Sequence, residues 1–246
     1  MQREDNEMTL VLIKPDALKN SLTGYILSQL SEFHTGLHYA ATKIVFVNKI
    51  LAEEHYAEHA GKFFYPPLLQ YITGCLHYPD EPHKRRVIAI IYQGDDAIKK
   101  IRGIVGPTNP HDARDQKPGS IRSLGSVIHV LDDSKKVIGD RSDNLIHASA
   151  NPEDAEREIK LWFIPTDIPP LMRKYTSEVT TEFYYYKNGT LYTEYEPGSV
   201  CICAPGDLVW KTDLEAMRLI VQGSQAHCSL NAVVAKYLIN KENIDD

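Results

Sequence analysis

The chain of 246 residues has no long run of apolar residues, whereas a helix crossing a bilayer needs about 20 in succession. Its start, Met1-Gln2-Arg3-Glu4-Asp5-Asn6-Glu7, is polar and acidic, unlike the basic and then apolar opening of a secretory signal. The expectation is a cytoplasmic protein with no membrane partner. Cysteine is scarce: Cys75, Cys201, Cys203 and Cys228 are too few and too irregular for a disulfide scaffold. Cys201 and Cys203, with His227 and Cys228 further on, could in principle ligate zinc, but the spacing is not that of a recognised zinc pair. An excess of positive charge is also missing. The 27 Lys and Arg face 33 Asp and Glu, a net charge of −6, which argues against a nucleic-acid partner because phosphate backbones select basic faces. The basic run His83-Lys84-Arg85-Arg86 reads as a solvated loop.

What is present is a globular composition, 43% apolar and 24% charged, in a chain long enough for one large domain or a medium and a smaller one. Thr9 to Ile13 is a continuous apolar run that predicts a strand buried on both faces. The spacing of Leu22, Ile26, Leu27, Leu30 and Phe33 predicts one helix, stopped by Gly36. Strands are expected over Tyr39 to Val47 and Val87 to Tyr92, with helices over Leu51 to His59, Pro66 to Ile72 and Asp96 to Val105. A fourth strand at Ser126 to Leu131 is expected to pair with Lys136 to Ile138 through the turn Asp132-Asp133-Ser134-Lys135. A last helix follows, with Asn151 as cap, Pro152 in its first turn, and Glu153 and Asp154 at the positive end of its dipole. This order predicts an α+β sandwich, one sheet with helices packed on it. Beyond Pro165 the texture changes to a tyrosine-rich hairpin around Asn188-Gly189 and two helical stretches, Leu214 to Val221 and Leu230 to Ile239. The expected division is residues 1–164 and a small α+β extension, 165–246, of unknown role.

Some polar residues fall where a core is expected. Glu158 lies in the stripe of Ala155, Ile159 and Trp162; Arg102 shares a face with Ile98, Ile101 and Val105; Lys14 ends the most buried strand. Unpaired, each would cost several kcal/mol to bury, so they pair with one another or meet a bound ion. Lys14, Arg102 and Arg122 are too many cations for Glu158 alone, and nucleotide phosphates would supply the missing negative charge. His147, after Leu145-Ile146, is ambiguous in isolation.

All of these polar residues but Arg102 also sit in ordered motifs: Lys14-Pro15-Asp16, His55-Tyr56, Phe64-Tyr65-Pro66, Thr108-Asn109-Pro110, Pro118-Gly119-Ser120-Ile121-Arg122, Asn144-Leu145-Ile146-His147 and Ala155-Glu156-Arg157-Glu158-Ile159. In that order they closely resemble the nucleoside diphosphate kinases over about residues 8 to 164. The resemblance implies a ferredoxin-like α+β sandwich with an antiparallel sheet. It implies phosphoryl transfer from a nucleoside triphosphate to a nucleoside diphosphate through a phosphohistidine, with Mg²⁺. His147 matches the nucleophile and Glu158 the carboxylate that fixes its tautomer. Lys14, Tyr56, Arg102, Thr108 and Arg122 match residues that hold phosphates or the sugar hydroxyl, Lys14 and Tyr56 sharing in catalysis. Asn144 matches a sugar contact, Phe64 the ring on which the base stacks and Leu68 an apolar wall. The family also implies a homo-oligomer, at least a dimer, through Leu22 to Phe33 and Tyr39 to Val47.

The sequence departs from the family pattern at Ser123-Leu124-Gly125, in an extra segment before Asn144, at Ala148-Ser149-Ala150-Asn151, in an insertion at His77 to Arg86, and in a longer loop from His111 to Lys117. A competing reading is a non-catalytic nucleotide-binding scaffold whose C-terminal region binds partners. Retention of both His147 and Glu158 speaks against it, since a binding module needs neither.

Overall fold

The computed structural model describes residues 6–131 and 134–241. The first strand, β1 (Glu7–Ile13), is at most 1% exposed from Met8 onward, Thr9 included, because both its faces are covered. Where one helix is expected between Leu22 and Phe33, the chain forms α1 (Pro15–Lys19), α2 (Thr23–Gln29) and α3 (Glu32–Thr35). The Ser31 hydroxyl accepts from the His34 amide and so caps a new helix start. That break turns Phe33 outward, 94% exposed instead of on the apolar face. Gly36 ends α3 in the left-handed conformation, φ 65°, as expected of a helix stop.

Next come β2 (His38–Val45), α4 (Lys49–His55), α5 (Tyr65–Ile72), β3 (Val87–Gly94), α6 (Ala97–Val105) and α7 (Pro110–Gln116). The unit closes with β4 (Ser126–Leu131), β5 (Val137–Asp143), β6 (Ile146–Ala148) and α8 (Pro152–Trp162). The main sheet has the order β2-β3-β1-β6, every neighbouring pair antiparallel. Its fourth strand is not the expected one. β4 pairs with β5 in a separate hairpin, whose turn residues Asp132 and Asp133 lie outside the described residues. The place beside β1 is taken by three-residue β6, with His147 opposite Leu12. Apolar periodicity locates a strand but does not choose its partner, and a strand this short has no period to read.

Strand alternation splits the core. Leu10 and Leu12 of β1 face Leu51, Ala52, Ile159 and Trp162, while Val11 and Ile13 face Ile26, Leu30, Ile101 and Val105. Helices therefore cover both faces. The Asn151 carboxamide accepts from the Asp154 amide to cap α8, with Pro152 at its first position, as the sequence predicts.

The C-terminal segment contains β7 (Ser177–Val179), β8 (Tyr184–Lys187), β9 (Thr190–Tyr192), β10 (Val200–Cys203), β11 (Leu208–Trp210), α9 (Lys211–Val221) and α10 (Leu230–Val234). The β8–β9 turn has φ 48° at Asn188 and 76° at Gly189, the positive pair a two-residue hairpin needs. Its tyrosines divide: Tyr184 is buried, whereas Tyr185 stacks on Phe183 at 5.9 Å and meets Tyr195, 65% exposed. The segment has its own apolar cluster around Val209, Leu214, Met217 and Val233. It also enters the main core. Trp210 is fully buried with Leu10, Leu12 and Ile159, and its indole N–H donates to the Phe163 carbonyl at 2.7 Å. At the outer edge of the sheet, the Asn240 side chain accepts from the Phe46 amide at 2.8 Å and donates to the Ile44 carbonyl at 3.0 Å, covering backbone groups an edge strand would leave open. Among the described residues no helix is long and apolar enough to cross a membrane.

Candidate active site

The site is built where β1 ends. Lys14 donates its backbone N–H to the Leu145 carbonyl at 2.9 Å, and Asp16 accepts the Leu145 amide at 2.9 Å. Leu145 is held between them at φ 69°, a conformation unfavourable for a residue with a branched side chain and sustained only by such outside contacts. The Lys14-Pro15-Asp16 motif thus clamps the turn that delivers Ile146 and His147 into β6.

On the neighbouring helix α8, Glu158 is 4% exposed. Its Oε2 accepts from His147 Nε2 at 2.9 Å and from the Ser149 hydroxyl at 2.7 Å. Burial pushes the Glu158 carboxyl up, but the charge and hydrogen bond of His147, with help from His55 and Ser149, hold it down at about 2. An ionised carboxylate here accepts a hydrogen bond from Nε2–H, which places the imidazole proton on Nε2 and leaves Nδ1 with the lone pair.

Four cations line the same cavity: Arg141, paired with Asp143, and the three the sequence singles out, Lys14, Arg102 and Arg122. Lys14 Nζ donates to Asn144 Oδ1 at 2.7 Å and lies 4.9 Å from the centre of the Tyr71 ring. Burial first, and then Arg122, push its ammonium down to about 7. Arg122, 5% exposed, donates to the Ile146 carbonyl at 3.0 Å, to the Gly106 carbonyl at 3.1 Å and to the Thr108 hydroxyl at 3.5 Å. Burial and the nearby Arg102 lower its guanidinium to about 10. The sequence places Arg102 toward the interior, but the residue is exposed at the cavity mouth, because α6 buries Ile98, Ile101 and Val105 and tips Arg102 just past that stripe. Among the described residues none of these three cations forms an ion pair within 4 Å, so the positive charge has no protein counter-ion at contact.

The cavity holds about 540 Å³, within the range of small-ligand sites. Lys14, Tyr56, Phe64, Leu68, Arg102, Thr108, Arg122, Asn144, His147 and Glu158, far apart in sequence, all line it. Phe64 and Leu68 add apolar lining to the same cavity. Sequence reasoning missed four contributors: Asp16, Ser149, His55 and Tyr71. The Tyr71 hydroxyl accepts the Asn144 amide at 3.1 Å. His55 Nδ1 accepts from the Trp162 indole at 3.3 Å, and the His55 ring lies 4.6 Å from that of His147. Burial, and then His147, hold the His55 imidazole well below its usual range, so it stays neutral. Asp16 and His55 stand within the ordered motifs with no role read for them, Ser149 follows His147 by two positions, and Tyr71 carries no signal in the sequence.

His55, His147 and Glu158 bring ligand atoms within 4.8 Å of one another, the one such group among the described residues. Two imidazoles suit a softer ion than Mg²⁺, which prefers oxygen ligands and substrate phosphates.

A pocket that brings together cations without counter-ions, apolar lining and an imidazole oriented by a carboxylate defines a protein suited to bind an anionic, partly aromatic ligand and attack it. Residues 7–168 match the family described as nucleoside diphosphate kinase, and the chain belongs to that family. The nucleoside diphosphate kinase of Thermococcus kodakarensis is 39% identical over 162 residues, 66% of this chain and 79% of that protein. The solved nucleoside diphosphate kinase of Aquifex aeolicus is 30% identical with a TM-score of 0.53, covering 67% of this chain and 99% of that one. A transition-state mimic of the Borrelia burgdorferi enzyme with bound vanadate and ADP is 28% identical, TM-score 0.52, over 67% of this chain and 90% of that one.

Proposed function

We propose that this chain works as a nucleoside diphosphate kinase in which Nδ1 of His147 accepts the γ-phosphoryl group of a nucleoside triphosphate and passes it to a nucleoside diphosphate. The observation that carries the reading is the His147–Glu158 hydrogen bond of 2.9 Å beside three cations without a counter-ion. Glu158 holds the Nε2 proton, Nδ1 attacks in line, and Lys14, Arg102 and Arg122 take up charge on the phosphate oxygens. Thr108 and Tyr56 border the phosphate end, Asn144 the sugar, and Phe64 and Leu68 the base. Mg²⁺ enters as part of the nucleotide substrate. The sheet order, with helices covering it, we assign to the ferredoxin-like sandwich, and the cytoplasm, which holds the nucleotide pool, is the compartment we propose. The separation of roles between Nε2 and Nδ1 favours catalysis over a purely binding scaffold.

The direct test supplies γ-labelled ATP with Mg²⁺ and a panel of diphosphates. Purine and pyrimidine acceptors should all be phosphorylated within about tenfold in kcat/KM, since stacking discriminates weakly among bases. No labelled triphosphate from any acceptor overturns the function; strict use of one base overturns only the stacking account.

Lys14 gives a second test. Its ammonium sits at about 7 in the free protein, and bound phosphates favour the charged form. Nucleotide binding at about pH 8 should therefore take up close to one proton, and at about pH 6 almost none. Calorimetry in buffers of different ionisation enthalpy measures this, and equal uptake at both pH values removes Lys14 from the phosphate site.

For assembly we propose a homodimer at least. Phe33 in α3, Tyr39 and Ile44 in β2 and Phe46 just past it are exposed apolar residues, and a second copy would cover them. Light scattering on the full chain should give at least twice the monomer mass; a monomer refutes the assignment.

A further inference from the structure

The β4–β5 hairpin stands where the sequence departs from the family pattern, and its second strand forms one wall of the cavity: residues 139–142 line it. Side chains alternate along a strand, so Gly139, Arg141 and Asp143 share one face and Asp140 takes the other. The contacts agree. A Cβ built on Gly139 would lie 3.6 Å from the Phe63 ring, and Asp143 accepts from His77 Nε2 at 2.9 Å, whose ring lies 5.2 Å from that of Tyr71. On the opposite face, Asp140 meets His129 at 2.6 Å across the hairpin. The inward face of β5 therefore meets the 63–71 segment at Phe63 directly and at Tyr71 through the His77 ring. Arg141 lies between those two contacts, toward the slot that Phe64 and Leu68 border.

Arg141 is also fixed. Its Nε and Nη2 donate to the two oxygens of Asp143 at 2.7 and 3.1 Å, a bidentate pair that sets the guanidinium plane. Burial raises the Asp143 carboxyl, but His77 and Arg141 outweigh it and keep the group ionised. His77 belongs to the other insertion, residues 77–86, so the two inserted segments meet at one carboxylate.

We propose that Arg141 is a base-binding residue: its guanidinium lies against the nucleobase stacked on Phe64, and Asp143 and His77 are the positioning residues that hold it there. The proposal rests on reading this cavity as the nucleotide site. A guanidinium suits the role because it is planar, delocalised and weakly hydrated, and it stacks on any π face. An ammonium has no face to offer. The contact adds affinity without choosing among bases, consistent with broad acceptor use.

The test is calorimetric binding of ADP, CDP and ribose 5-diphosphate, which lacks a base, to the parent chain, Arg141→Ala and Arg141→Lys. Arg141→Ala should weaken ADP and CDP about tenfold and leave ribose 5-diphosphate within about twofold; Arg141→Lys should recover less than half of the loss. His77→Ala should show the same split between base-bearing and abasic ligands to a smaller degree. Unchanged ADP affinity in Arg141→Ala overturns the proposal. So does equal weakening of ADP and ribose 5-diphosphate, which would place Arg141 on the phosphates or sugar, and so does full recovery in Arg141→Lys, which would make the effect one of charge alone. Because binding is read without turnover, these outcomes are separate from a failure of phosphoryl transfer.

Discussion

His147→Ala is expected to abolish phosphate transfer from ATP to GDP, a loss on the order of a millionfold in kcat, and with it the acid-labile, base-stable phosphate on the protein. Two features of the structure set this size. β6 presents the imidazole in the cavity beside three cations, and Glu158, with Oε2 2.9 Å from Nε2, fixes the tautomer that leaves Nδ1 nucleophilic. Glu158→Gln keeps an oxygen acceptor for Nε2–H but loses the charge that favours the developing phosphoimidazole. It should lower kcat about a hundredfold while nucleotide affinity stays near the parent value. Rapid quench on the phosphoenzyme and calorimetry on ADP separate the two. Parent-rate transfer by His147→Ala removes the nucleophile assignment, and equal loss of affinity in Glu158→Gln would make Glu158 a structural ion-pair partner.

Trp210→Ala should destabilise the whole chain by about 3–5 kcal/mol, lowering Tm by about 10 °C. Trp210 lies in the C-terminal segment, yet it is fully buried among β1 and α8 residues. Its loss opens a cavity in the main core and strips the Phe163 carbonyl of its donor. We propose that the extension and the kinase unit unfold together, in one calorimetric transition that moves as a whole. Two transitions, with only the smaller one moved by the substitution, would instead make residues 165–246 a separately stable domain. Ile50, packed against both apolar clusters, points to a single cooperative unit.

Much of the site was legible in the residues. Lys14 and Glu158 stand out because a charge at the end of a buried strand or within an apolar helix stripe needs a partner; Arg102, read inward, lies exposed, yet the structure gathers it with Lys14, Arg122, Glu158 and His147 around one cavity. Leu22 to Phe33 shows the limit of such reading. Helical spacing persisted across a break that a serine cap created, so Phe33 was assigned inward and lies outward. The hairpin from 126 to 143 was legible as a pair of strands but not as a cavity wall, because period-2 alternation fixes which residues share a face and says nothing about what that face meets.

By itself the sequence determined the local chemistry: the doubly buried β1, the capped α8, the β8–β9 turn that needs Asn188-Gly189, and the motif order that marks the family. Each depends on residues close in the chain, where backbone sterics and side-chain spacing act directly. Tertiary structure alone decided that β6 rather than β4 completes the sheet, that Asp16 and Lys14 hold Leu145 at positive φ, that Asn240 covers the β2 edge, and that His77 and Arg141 meet at Asp143. Those outcomes join residues between 2 and 196 positions apart, and even the local Arg141–Asp143 pair faces the cavity only because distant segments bracket β5. No local periodicity encodes such contacts, since they form only when separate apolar faces are buried against one another.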